Sequence, residues 1–264
     1  MPKKPGHVPF VQSLDRGLTI LQTIARSRQP VTLGELAELL AVDRSSVFRL
    51  AQTLRRRGFL TTPAGRKDYI LGSSMWTLSR QYDWSNMLVR VAHDELKSLA
   101  QSLNETAHLA IREGKSALFI DSVHARHVIV VAGQTGELVP LYATAHGKAL
   151  LADSDEQALK ALFGSKKLEK YTKTTITAVP SLVKECAEIR RRGYAWDDAE
   201  FRDGVRCVAA PIRVADGAIV GSVGISAPAS RFLKENYANH SARAVQCARR
   251  IGEMLSVSED GPDA

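Results

Sequence analysis

Apolar residues return at helical spacing in three successive stretches near the start of the chain. Leu14, Leu18, Leu21, Ile24 and Ala25 predict one helix, and Leu33, Leu36, Ala37, Leu39 and Leu40 a second. Val47, Leu50, Ala51 and Leu54 predict a third. Thr32 precedes the second helix with Glu35 three residues on, the spacing of a capping box. Ala41 and Val42 make a short turn, Asp43 is placed to cap the third helix, and Gly58 falls just past its end. The outward face of that helix is left to Ser45, Ser46, Arg49, Gln52 and Arg56, with Phe48 at its border. Residues 59–62 and 69–71 then alternate around the turn-rich Pro63-Ala64-Gly65-Arg66-Lys67, the pattern of a β-hairpin. Two short helices followed by a hairpin with a basic tip, closed by a helix upstream, make a winged helix-turn-helix. Its second helix is the one that would enter a DNA major groove.

Residues 73–103 read as two helical segments with a break near Asp83, Trp84 and Ser85. Trp76, Leu78, Leu88, Val89, Val91, Ala92, Leu96, Leu99 and Leu103 give them apolar faces, which serve either self-association or docking onto the same chain. Beyond Gly114 the period changes. Residues 107–112, 117–122 and 128–133 read as strands, then 145–153, 155–163 and 181–192 as helices. A short strand ends at Asp197, and 205–214 and 218–227 are strands joined by Ala215-Asp216-Gly217. A final amphipathic helix spans about 235–257. The resulting class is α+β. The expected domains are 1–72 for DNA binding, 73–84 as a linker helix, 85–258 for sensing, and a disordered tail at 259–264.

Charge separates the two halves. The 264 residues carry 36 Lys and Arg against 28 Asp and Glu, and residues 1–82 hold 13 of the former and 5 of the latter. The whole excess of +8 therefore sits with the candidate reading helix, while the remainder is neutral. Such a patch favours salt-sensitive phosphate binding. A membrane surface fits less well, because the helix lacks an aromatic-rich lipid face. No apolar run approaches a membrane span, and the N-terminus lacks the apolar core of a signal peptide. Cys186, Cys207 and Cys247 are too few and too scattered for a disulfide framework or a zinc motif. A cytoplasmic location is expected. Of the seven histidines only His124 and His127 lie close together, and no metal or other cofactor is expected.

Candidate binding chemistry lies in the second half. Thr144 can cap the helix opened by Ala145-His146-Gly147, whose N–H groups at a positive helix end would suit a carboxylate, with Gly147 allowing close approach. Simple capping explains the same residues. Lys148 either adds charge there or extends to solvent. Asp197 ends a strand, Cys207 sits among Val205, Val208 and Ala209, and Ser226 closes a glycine-rich apolar strand; all could face one concave site.

These segments resemble the IclR family of bacterial transcriptional regulators over nearly the whole chain. The carriers are VQSLDRGL at 11–18, SSVFRLAQTLRRRGF in the reading helix, YILG after the wing, ETAHLAIREG and PLYATAHGKALLA. The most specific is Gly193-Tyr194-Ala195-Trp196-Asp197-Asp198-Ala199-Glu200, followed by Cys207 after six residues. The resemblance implies a winged-helix domain joined by a helix to a GAF-like effector domain. It also implies dimers or tetramers on palindrome-like operators, and small organic or aromatic acids as effectors. By motif position it assigns effector contacts to Ala145, His146, Gly147, Asp197, Cys207, Gly224 and Ser226. DNA contacts fall to Arg44, Ser45, Ser46, Phe48 and Arg49, beside Gln52, Arg56, Arg66 and Lys67 from the helix face and wing. His146 departs from the apolar or small residue usual in the family. Facing a pocket, it would bond a carboxylate or hydroxyl and make binding pH-dependent; facing away, it would be an ordinary surface histidine. The expected function is a ligand-responsive repressor or activator, not an enzyme. The alternatives are an enzyme using Cys207 as nucleophile with His146 as base, or a DNA-binding protein that senses nothing.

Overall fold

A computed structural model describes residues 11–27, 29–63, 65–80, 83–124, 127, 131, 133–164 and 166–259. It divides into two units, Met1–Asp83 and Trp84–Ala264, each with its own core.

The first unit holds α1 (Gln12–Arg26), α2 (Leu33–Leu40), α3 (Arg44–Arg56), β1 (Leu60–Thr61), β2 (Ile70–Leu71) and α4 (Ser73–Arg80). The capping box is present: Thr32 Oγ1 accepts from the Glu35 N–H at 3.2 Å, and Glu35 Oε2 accepts from the Thr32 N–H at 2.7 Å. Ala41 then takes a left-handed conformation (φ 50°), which turns the chain into α3. Asp43 Oδ1 accepts the Ser46 N–H at 2.9 Å and caps that helix. α3 ends in a Schellman pattern: the Gly58 N–H reaches Arg55 O and the Phe59 N–H reaches Leu54 O, both at 2.9 Å. Gly58 makes this possible with φ +75°. β1 and β2 pair antiparallel, and Tyr69 bridges to Val31 ahead of α2.

Ile20, Ile24, Val31, Leu36, Val47, Ala51, Leu60 and Tyr69 close this small core. Each large aliphatic side chain there contributes about 1.5–3 kcal/mol of transfer free energy. α1 corrects the sequence expectation. Its packed face is Gly17, Ile20 and Ile24, with Leu21 partly buried, while Leu14 and Leu18 are exposed together with Val11. Ile24 and Leu21 thus pack as the spacing predicts, whereas Leu14, Leu18 and Ala25 do not. α5 (Asp83–Leu103) also begins at Asp83, ahead of the expected break.

In the second unit a six-stranded antiparallel sheet runs in the order β5-β4-β3-β8-β7-β6. Its strands are β3 (Thr106–Glu113), β4 (Ser116–Val123), β5 (Leu138–Pro140), β6 (Ala195–Asp198), β7 (Val205–Arg213) and β8 (Ile219–Pro228). Alternation along the strands divides its two faces. Leu109, Ile111, Val208, Ala210, Ile212, Val223 and Ile225 face α5 and α9 (Tyr237–Glu259) in a fully apolar core. The opposite face meets α6 (Ala145–Leu150), with α7 (Glu156–Phe163) and α8 (Val179–Arg192) outside it. There the strands contribute His108, Ser222, Gly224, Ser226, Cys207 and Asp197, the residues from which a site can be built.

The expected strand at 128–133 falls mostly outside the described residues, and Val131 and Gly133 belong to no strand. β5, three residues long and ending in Pro140, carries too little alternation to be foreseen. α6 stops three residues early, α8 starts two residues sooner with Pro180 in its first turn, and α9 follows a 3-10 turn at Lys234–Asn236. Of the expected tail, Glu259 ends α9 and 260–264 lie outside the described residues.

Candidate functional site

Register builds one polar row across four strands. Asp197 on β6 pairs with Cys207 on β7, Cys207 with Ser226 on β8, and Ser226 with Thr106 on β3. His108 lies one alternation further along β3, opposite Gly224, and reaches Ser122 Oγ on β4 through Nδ1 at 2.9 Å. α6 crosses this row, capped by Thr144, whose Oγ1 accepts the Gly147 N–H at 3.1 Å.

Between α6 and the sheet lies a small, partly open cavity of about 40 Å³. Of the residues expected at an effector site, Ala145, His146, Asp197, Cys207 and Ser226 line it. Residues that sequence reasoning did not single out join them: His108, Phe119, Val131, Gly133, Glu137, Val139, Thr144, Phe201, Arg202 and Val205. Arg202 Nη2 meets Glu137 Oε1 at 2.8 Å, and its guanidinium lies 5.2 Å from the centre of the Phe201 ring. Arg202 and Glu137 are 65 positions apart in two loops, so no local pattern could have paired them. His108 was legible in principle, since period 2 puts it on the polar face of β3.

Burial sets the electrostatics. Asp197 is 3% exposed; removal from water pushes its carboxyl up to about 7, although the Glu200 N–H at 2.7 Å works the other way. Cys207 contacts Ser226 Oγ at 3.1 Å, and burial drives its thiol well above the ordinary range. Burial also lowers His146 to about 3 and holds His108 well below its usual value. Both imidazoles are therefore neutral at physiological pH. Of the two placements open to His146, the structure has it lining the cavity and not on the surface, and burial lowers its pKa, against a pH switch. His146 bonds Ser222 Oγ through Nδ1 at 3.1 Å and meets Phe119 edge-on.

Gly147 and Gly224 sit in the same neighbourhood but do not line the cavity. A Cβ at Gly147 would fall 2.3 Å from the Leu141 backbone, and one at Gly224 2.1 Å from Val208 O. Their small size serves the approach of chain to chain, not of ligand to chain. Lys148 likewise neither reaches solvent nor lends its charge to a ligand. It is 1% exposed, with Nζ 2.5 Å from Glu200 Oε1 and 3.9 Å from Glu185 Oε1. Glu200, the acid of the signature, is thus the counter-ion of a buried lysine.

The nucleophile reading fails on the same geometry. Cys207 contacts Ser226 and is held as a thiol, while His146 is engaged with Ser222, so no thiolate–imidazole pair forms. Among the described residues no group of three or more His, Cys, Asp or Glu is arranged to hold a metal. His127 Nε2 contacts Asn104 Nδ2 at 3.0 Å.

In the first unit α3 exposes Arg44, Ser45, Phe48, Arg49 and Arg56, with Ser46 and Gln52 partly buried. The hydroxyls of Ser45 and Ser46 both donate to the Asp43 carboxylate, at 2.5 and 2.8 Å. Those bonds hold the Asp43 carboxyl well below its ordinary range. At the wing, Arg66 pairs with Asp68 at 2.8 Å, leaving Lys67 as an exposed charge beside it.

Residues 13–64 match the IclR helix-turn-helix domain, and residues 82–253 match the bacterial transcriptional regulator IclR C-terminal domain. The chain belongs to the IclR family. It is 30% identical to the transcriptional repressor IclR of Escherichia coli K12 over 262 residues, covering 95% of this chain and 96% of that protein. The crystal structure of Thermotoga maritima IclR superposes with a TM-score of 0.74 at 30% identity, covering 92% of this chain and 98% of that one. An IclR homologue from Microbacterium hydrocarbonoxydans, solved with 4-hydroxybenzoate, shares the fold with a TM-score of 0.78 at 21% identity and covers 93% of this chain and 99% of that one. As an IclR-family member the protein is a DNA-binding transcriptional regulator with a C-terminal effector domain, and not an enzyme. No helix among its described residues is long and apolar enough to cross a membrane.

Proposed function

We propose that a compact organic or aromatic acid occupies the cavity beneath α6 and changes the affinity of α3 for operator DNA. The observation that carries this reading is the convergence of Asp197, Cys207, Ser226 and His146 on one cavity whose lining includes Arg202. With both cavity histidines neutral, Arg202 is the cation that can balance a carboxylate, and it would exchange Glu137 for the ligand. The 4-hydroxybenzoate of the more distant homologue supports an acid-sized space in this fold rather than this particular ligand.

Thermal melting against a panel of small organic and aromatic acids tests the reading, because binding to the native state raises the melting temperature. The acid that binds should also alter operator affinity, and Asp197→Ala should lose both responses while its DNA binding without ligand is retained. An acid that stabilises the protein yet leaves operator affinity unchanged would refute the coupling. In the DNA domain Arg44, Ser45, Ser46, Phe48, Arg49, Gln52 and Arg56 form the reading face, with Arg66 and Lys67 on neighbouring phosphates. Ser45 and Ser46 contribute through the shape of the capped helix start as much as through free hydroxyls. The protein acts in the cytoplasm as a dimer or tetramer. Val11 and, on α1, Leu14 and Leu18 form an exposed apolar stripe that a partner copy would cover. Leu18→Glu should lower the mass measured by light scattering, and an unchanged mass would move the interface elsewhere. Repression and activation are separated by a reporter assay with and without the acid.

A further inference from the structure

The turn between β6 and β7 carries much of the cavity wall: Asp197 precedes it, Phe201 and Arg202 lie on it and Val205 follows, and all four line the cavity. From Ala199 to Gly204 the chain is neither helix nor strand, so no ladder of backbone bonds fixes it. Ala199 is also left-handed, with φ 56°, a conformation that a residue with a Cβ disfavours. The turn therefore has to be held from outside.

Three threonines ahead of α8 hold it. Thr174 Oγ1 lies 2.8 Å from Ala199 O and 3.1 Å from Asp198 O. Thr175 Oγ1 donates to Glu200 O at 2.6 Å, and Thr172 Oγ1 reaches the same oxygen at 3.2 Å. Three successive carbonyls of the turn thus each meet a threonine hydroxyl. Thr175 Oγ1 is itself fixed by the N–H groups of Tyr171 and Thr172, at 3.1 and 2.9 Å, and Thr172 and Thr175 are buried. The Tyr171 ring meets Phe201 edge-on, 5.1 Å between centres. Asp197 and Lys148 also hold Glu200, through its N–H and its carboxylate.

Building on the reading of this cavity as an acid site, we infer that Thr172, Thr174 and Thr175 are positioning residues for the effector, clasping the turn so that Phe201 and Arg202 stand ready as cavity wall. A turn released from the clasp would offer that wall only part of the time, and the apparent affinity for the acid would fall by the same fraction. The clasp spares the ligand the cost of ordering the turn. Thr174 is the exposed member of the three, so its hydroxyl can be removed without opening the core.

Benzoate, 4-hydroxybenzoate, propionate and lactate, titrated into the full-length protein and its Thr174 variants, test this. Thr174→Val keeps the shape of the side chain and removes the hydroxyl, whereas Thr174→Ser keeps the hydroxyl. An acid that binds the wild type should bind Thr174→Val at least about fivefold more weakly, and Thr174→Ser should return to within about twofold of wild type. Amide hydrogen exchange gives a reading that needs no acid. Exchange at residues 198–202 should speed up in Thr174→Val and recover in Thr174→Ser, with α5 and α9 unchanged. Unchanged acid affinity in Thr174→Val, whatever its melting temperature, overturns the inference and leaves the acid reading standing, since the threonines would then serve stability alone. Weaker binding without faster exchange at 198–202 also overturns it. Failure of all four acids to bind the wild type overturns the acid reading and this inference with it.

Discussion

The reading helix α3 and the site helix α6 handle their polar residues in opposite ways. α3 turns Arg44, Arg49, Arg55 and Arg56 to solvent and buries only Val47 and Ala51 fully. All six residues of α6 are buried, including His146 and Lys148. The first follows the rule that amphipathic spacing assumes, with charges outside and apolar groups within. The second breaks that rule at each polar position, and each exception has a named partner: Glu200 for Lys148 and Ser222 for His146. α3 thus presents its polar groups to solvent, whereas α6 encloses them.

Breaking the enclosed pair should have the largest effect. Lys148→Ala strands Glu200 in a site where burial already raises its carboxyl, and should cost about 3–5 kcal/mol in urea unfolding. Lys148→Met combined with Glu200→Leu should recover most of that loss. A single-variant cost below about 1 kcal/mol would mean that the pair is not truly desolvated.

Asp197 gives a pH-dependent version of the same contrast. Unfolded, an aspartate ionises near 3.9, whereas the folded protein keeps the Asp197 proton up to about 7. The favourable contribution of this group is therefore complete below about pH 4 and is lost as pH rises through about 7. Asp197→Asn keeps an acceptor for the Glu200 N–H and removes the ionisation. Its stability relative to wild type should climb between pH 4 and pH 8 by an amount on the order of 2–4 kcal/mol. A difference that stays flat over that range would show that the Asp197 charge is not buried.

On the exposed side the effects move from stability to binding. Arg49→Ala should weaken affinity for operator DNA, selected from random duplexes, by about 1–3 kcal/mol. Its unfolding free energy should stay within about 0.5 kcal/mol of wild type. An unchanged affinity would count against the orientation of α3. Thr32→Ala, which removes half of the capping box on α2, should cost about 1 kcal/mol of stability and is the smallest of these effects.

The same contrast explains what could be read from the residues. Thr32, Asp43 and Gly58 declare the boundaries of α2 and α3 because caps are local, involving atoms three or four residues apart. α1 differs only in that Leu14, Leu18 and Ala25 of its expected inner face are exposed, while Leu21 and Ile24 pack inward. Asp197, Cys207 and Ser226 were recognisable from their motif, and strand register then placed them in one row. Gly147 and Gly224 fitted the motif equally well, yet their function is steric, and only the distance to Leu141 or Val208 reveals it. Arg202 and Glu137 had no signal at all.

Helix periodicity, caps, strand alternation and the concentration of charge before residue 83 were determined by the sequence, since each depends on neighbours along the chain or on solvent. The signature also determined the family. Tertiary structure alone decided that Lys148 is buried against Glu200, that Asp197 holds its proton to about 7, and that His146 is buried against Ser222 at the edge of a cavity. The physical reason is common to all three: removing a polar group from water makes its state depend on whichever group is brought to it, and those partners come from far along the chain.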